Sequence, residues 1–179
     1  MAQQVKVYTS ANMDFSKYVE KSVNRLKMPK NIYVEGYLVA LLSKFIEKEE
    51  GFLSDQPLMF RLLHSQGLED YIKLGDETLF VTGFFPENVL KDKNKKYVIS
   101  IGKESYICAA VKLDYEGEGH IYSVLSKDFE RYSDVLHDVR YSMLEKIDDK
   151  EFFQLYKAWR DYNDKRALKK LKESGFSKA

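Results

Sequence analysis

Between Phe129 and Ile147 the apolar side chains Phe129, Tyr132, Leu136, Val139, Met143 and Ile147 step by three, four, three, four and four. That spacing lays one stripe along a helix, whereas strand faces alternate every second residue. The same signal recurs elsewhere. Phe15, Val19, Ser22 and Leu26 share a face, with Asn12 or Asp14 as cap and Pro29 as breaker. Val34, Leu38, Leu41 and Phe45 predict a helix from Ile32 to about Glu49, stopped by Gly51. Asp55 and Pro57 read as the start of another, ended by Gly67 after Gln66. A last helix, capped by Asp148 or Asp149, carries Phe152, Leu155, Trp159 and Tyr162 and runs into the C-terminal end with Leu171.

The middle of the chain lacks this clarity. T-L-F-V-T-G-F-F, Y-V-I-S-I and Y-I-C-A-A-V-K-L have strand-like composition, and three short strands here would make the chain α+β with a small sheet around residues 78–113. The segments do not alternate polar with apolar, however, and a fully buried helix has no polar face to display. The expectation is therefore one all-α domain spanning residues 1–179, built from six to eight helices.

Read as helices, two central segments carry small residues in register. Gly75, Thr78 and Thr82 form one stripe of the 68–85 helix, with Asp76, Phe80, Gly83 and Phe84 on the adjoining one. Gly102, Ser105, Cys108 and Ala109 do the same in the 97–113 helix. An interior glycine costs about 0.5–1 kcal/mol relative to alanine, so the missing bulk must gain something. Two gains are available: closer approach of helix axes or room for a ligand. Asp76 adds a second demand, because a buried carboxylate needs a partner. Arg61 and His64, on the preceding helix, are its candidates.

The stretch L-G-D-E-T-L-F-V-T-G-F-F-P-E-N-V, followed by K-Y-V-I-S-I-G-K-E-S-Y, resembles a family of uncharacterised bacterial proteins. Its pattern is of the type L-x-x-x-G-D-x-x-L-F-x-x-G-F-F-P and then Y-Y-I-x-M-G-x-x-A-Y. The resemblance covers roughly residues 37–139 and falls on Gly75, Asp76, Leu79, Phe80, Gly83, Phe84, Phe85, Pro86, Tyr97, Ile99, Gly102 and Tyr106. Val98, Ile101 and Ser105 depart from the pattern, so a role for the second tyrosine hydroxyl does not carry over. The resemblance implies a mostly helical fold and supplies no activity.

Composition narrows the function classes. The chain has 179 residues, 44% of them apolar and 32% charged, with a formal charge of +1. Such balance gives no global pull toward nucleic acid, and nucleic-acid binding is not expected. The charge is uneven, since the basic helix end at 165–179 holds six cationic residues and one acid. No apolar run reaches the roughly 18–20 residues that span a bilayer, and a cytoplasmic location is the expectation. Cys108 is the sole cysteine and sits among apolar neighbours, a setting that makes a thiol inert. His64, His120 and His137 fall in no ligand motif, so no metal site and no cofactor are expected.

The sequence thus favours a non-enzymatic helical module. It would bind a protein partner or an apolar small molecule between the 68–85 and 97–113 helices. Arg61, His64 and Asp76 would supply the polar end, Phe80, Phe84, Tyr97 and Tyr106 the walls, and Gly83 and Gly102 the space. Two alternatives stand beside it: an enzyme using Asp76 as acid or base, and a structural homodimer joined through the small-residue faces.

Overall fold

Every side chain from Leu74 to Phe84 is buried, which explains why this stretch shows no amphipathic stripe. It is the inner part of a central helix, and the other elements are laid around it. The structure, a computed structural model, describes residues 15–47, 56–86, 95–144 and 149–176. Among these residues there are nine α-helices and no strand: α1 Phe15–Arg25, α2 Ile32–Leu42, α3 Leu58–His64, α4 Leu68–Phe84, α5 Lys95–Lys112, α6 His120–Lys127, α7 Phe129–Met143, α8 Asp149–Tyr162 and α9 Lys165–Glu173. The all-α expectation holds, and the central segments are helices rather than a sheet.

Helix α4 packs against α5 along most of its length, against α7 on another side, and against α2 and α3 elsewhere. Its apolar side chains join one core with those of α1, α2, α5, α7 and the last two helices. No described helix is long and apolar enough to cross a membrane.

Local chemistry sets most of the boundaries. Asn31 caps α2 through its side-chain oxygen, which accepts from the Tyr33 and Val34 amides. Asp70 accepts from the Gln66 and Gly67 amides and so fixes the start of α4. Helix α2 continues into a wider π-helical turn at Ser43–Glu47, and a second such turn, Asp114–Glu118, joins α5 to α6. Gly117 and Gly119 both lie at this junction. Gly119 is seated so close to the Ala110 carbonyl that a β-carbon has no place.

Three boundaries differ from expectation. Helix α1 ends at Arg25, before Pro29, because Lys27 takes a left-handed conformation with φ of 50°. Helix α7 ends at Met143, and Ile147 lies outside the described residues, as do Asn12, Asp14, Gly51, Asp55 and Asp148. The last helix is not continuous into the basic end. Asn163 adopts φ of 53°, and Asp164 then caps α9 by accepting from the Arg166 and Ala167 amides. Asn tolerates the left-handed region and Asp is a strong N-cap, so this dipeptide divides one apolar pattern between two helices. That division, with α6, which the spacing did not announce, carries the helix count past the six to eight expected.

Candidate functional site

Asp76 is 5% exposed and lies where α4 meets α2 and α5. Tyr37 on α2 and Tyr106 on α5 both donate to its Oδ1, at 2.5 and 3.0 Å. Lys44, delivered by the π-turn after α2, reaches Oδ2 at 3.2 Å. Tyr122 of α6 completes a ring cluster, 5.8 Å from Tyr37 and 6.0 Å from Tyr106 between centroids. Burial pushes the Asp76 carboxyl above its usual value, and the Tyr37 hydrogen bond, the Lys44 charge and the Tyr106 hydrogen bond offset this only in part. Burial likewise raises the Tyr37 and Tyr106 phenols, with the Asp76 carboxylate adding to it.

The polar partners expected for Asp76 are thus corrected. Arg61 instead pairs with the neighbouring carboxylate, Glu77, at 2.6 Å, and both side chains are largely buried. Successive helix residues point about 100° apart, so α3 meets Glu77 while Asp76 faces α2 and α5. His64 lies on the surface, its Nδ1 2.8 Å from the Phe60 carbonyl and its ring stacked on Phe60. Arg61 and His64 do line one depression of about 240 Å³, with Asp70 and Lys73, away from Asp76.

The expected walls separate as well. Phe80 and Phe84 are fully buried and stack on each other at 5.0 Å, and Phe80 also stacks on Phe45 of the π-turn at 4.8 Å. They belong to the core rather than to the α4–α5 seam. Tyr97 stands apart at the start of α5, more than a third exposed, where its hydroxyl accepts from the Met59 amide. Of the four, Tyr106 is the one that hydrogen-bonds to Asp76.

Side chains of the same chain occupy the space left by the small residues. The Tyr106 ring lies over Gly75, where a β-carbon would come within 2.7 Å of it. At Gly102 a β-carbon would lie 2.5 Å from the Phe129 ring and 2.6 Å from the Thr78 hydroxyl. At Gly83 it would meet Leu136 Cβ at 2.7 Å and the Ser133 carbonyl at 2.8 Å. The small polar groups are satisfied by their own helices: Thr78 donates to the Leu74 and Gly75 carbonyls, Thr82 to that of Thr78, and Ser105 to that of Ile101. Close approach, rather than ligand room, is what the missing bulk provides at these positions.

Sequence reasoning missed two polar devices. Arg140, buried on α7, donates to the Phe84 carbonyl at 2.8 Å and so caps the end of α4. Asp164 lies 3.0 Å from His137 Nε2 and accepts from the Tyr141 hydroxyl at 2.8 Å. Burial raises the Asp164 carboxyl, but the hydrogen bond and charge of His137, the Tyr141 hydroxyl and the Ala167 amide outweigh it and hold the group well below the usual carboxylate range. A carboxyl lowered on folding stabilises above its unfolded value of 3.8, and the contribution is lost as pH falls through the folded value. Urea unfolding between about pH 4 and pH 2 is therefore expected to lose stability steeply in the native chain and less so in Asp164→Asn. Equal slopes for both would mean that another group governs the acid limb.

Cys108 is half-buried, and burial followed by the nearby Glu104 raises its thiol, in keeping with an inert thiol. Among the described residues no three His, Cys, Asp or Glu side chains gather closely enough to hold a metal ion.

Two grooves lie outside the Asp76 cluster. The first, of about 680 Å³, lies between the start of α2 and the start of α6, with Ile32, Tyr33, Val34 and Ile121 among its walls. Ile32 and Tyr33 are 74% and 79% exposed. The second, of about 550 Å³, lies between α1, α7 and α9. Comparison of the chain with protein-family models, with curated proteins and with solved structures finds no match.

Proposed function

We propose that the chain is a non-enzymatic helical module that binds a protein partner at the groove between α2 and α6. The observation that carries this reading is the pair Ile32 and Tyr33, each about three-quarters exposed beside an apolar-walled groove. Large apolar side chains presented together next to a concavity favour a partner that removes them from water. The groove is open to solvent rather than enclosed, which suits an inserted side chain better than an enclosed small molecule. The space beside Gly75, Gly83 and Gly102 is taken by side chains and backbone of the same chain, which supports a binding surface elsewhere.

A photo-crosslinking residue at Tyr33 tests the reading, with Lys157 on the exposed side of α8 as control position. The expected result is a discrete adduct at 33 and none at 157. The captured protein, purified separately, should then bind the native chain and lose about tenfold in affinity to Ile32→Glu. Identical adducts at both positions, or affinity unmoved by Ile32→Glu, would remove this reading.

A second reading, acid–base chemistry at Asp76, draws on the raised carboxyl and the lysine and tyrosines around it. It requires substrate to reach the carboxylate past Lys44, which is 32% exposed. Trapping of a carboxyl-directed reagent at Asp76 in the folded chain would favour it, and protection of Asp76 until unfolding would count against it.

A further inference from the structure

The groove between α1, α7 and α9 has a charge pattern that packing alone does not require. Lys21 and Arg25 enter it from α1, and Arg166, Lys169 and Lys170 from α9, against the two carboxylates Asp138 and Glu173. Helices bearing like charge on facing sides repel one another, yet α9 is seated here through Ala167 and Leu171, both fully buried.

The five cations are not equivalent. Arg25 is held in place, 3.0 Å from the Asp138 carboxylate and 3.4 Å from the Ser142 hydroxyl. Arg166 reaches Asp134 at 3.5 Å and Lys170 reaches Glu173 at 3.6 Å. Lys21 and Lys169, one on each side, are exposed and pair with no carboxylate among the described residues. The groove therefore combines a half-exposed guanidinium oriented by Asp138 with ammonium groups on two sides that pair with no described carboxylate. Such a set favours an anion carrying several charges on a compact group. Guanidinium matches the geometry of phosphate, and lysine serves it as a point charge. The volume, about 550 Å³, lies in the range of a bound small molecule.

We propose that this groove binds a small, multiply charged phosphate-bearing ligand. Arg25, oriented by Asp138, acts as its fixed contact, and Lys21 and Lys169 close on it from α1 and α9. Binding there ties the basic helix to the body of the molecule, independently of any partner at the α2–α6 groove.

Calorimetric titration of the full chain with inorganic triphosphate tests the proposal, with ATP and citrate as further probes. Saturable one-to-one binding is expected, tighter for triphosphate and ATP than for citrate. Lys21→Ala with Lys169→Ala should weaken it about tenfold, while Lys21→Arg with Lys169→Arg should retain it. Both lysines are exposed, so these variants are expected to fold, and unchanged far-ultraviolet dichroism checks that. The proposal is overturned by absence of saturation, by the alanine pair binding as the native chain does, or by citrate matching triphosphate. A hepta-aspartate peptide that binds more tightly than triphosphate would also overturn it, in favour of an acidic protein segment.

Discussion

Gly83→Leu is expected to destabilise the fold by about 3 kcal/mol or more, read as a lower midpoint in urea or heat. A β-carbon at this position already meets the Leu136 side chain at 2.7 Å and the Ser133 carbonyl at 2.8 Å. The first neighbour has some freedom to turn. The second is main chain of α7 and moves only if the helix moves. Leucine adds three further heavy atoms to that contact, so α7 must separate from α4 along the seam that buries Val135, Leu136 and Val139. The gain in helix propensity on replacing glycine, at most about 1 kcal/mol, is too small to offset this. Gly36, which has open space around it, supplies the control. Gly36→Ala is expected to leave stability unchanged or raise it slightly. A Gly83→Leu variant as stable as the native chain would mean that α4 and α7 are not in close contact.

The second large effect is at Asp76. Asp76→Ala leaves the Tyr37 and Tyr106 hydroxyls and the Lys44 ammonium without their shared acceptor. Tyr106 is wholly buried and has no water to turn to. An unmet buried hydroxyl costs about 1–3 kcal/mol, and Lys44, a third exposed, recovers part of its loss by hydration. The expected cost is about 2–4 kcal/mol. Asp76→Asn keeps one acceptor oxygen and should cost less. The pair also separates charge from hydrogen bonding. Because the folded Asp76 carboxyl lies above its unfolded value, its protonated form contributes stability below 3.8 that is lost as pH rises through the folded value. Asn cannot ionise, so the difference between native and Asp76→Asn should vary with pH over that window. A constant difference would mean that burial does not dominate at this carboxylate.

The sequence carries the architecture wherever a helix has one wet face. The Phe129–Met143 stripe is an example, and its residues Phe129, Leu136 and Val139 are indeed fully buried. It carries less where a helix is dry all round. In α4 the glycines announce close contacts but not with what, since Gly75 meets α5 and Gly83 meets α7. Composition cannot separate a gap filled by a neighbouring ring from one left for a ligand, because both call for a small residue. The Asp76 partners were legible in kind, as a buried carboxylate needing donors, but not in identity. Asp76 and Glu77 are adjacent, and which one Arg61 meets depends on the rotation of α4 relative to α3. Lys44 was hidden for another reason: it is offered from a turn that departs from the 3.6-residue repeat. The two grooves are assembled from elements distant in sequence, such as α1 with α9, and no spacing rule reports them.

The π-helical turn at Ser43–Glu47 has a consequence for comparing chains. Such a turn holds one more residue than the α-helical turn it replaces, so the positions before and after it follow different frames. Val34, Leu38 and Leu41 are counted in one frame, and Phe45 and Ile46 reach the core in the next. A relative whose helix runs through this point as ordinary α would be one residue shorter here. Its aligned sequence would carry a single-position gap inside a helix, where gaps are ordinarily penalised most. Admitting that gap between residues 42 and 47 keeps the lysine that faces Asp76 in its column, and refusing it shifts every position from there to the helix end by one.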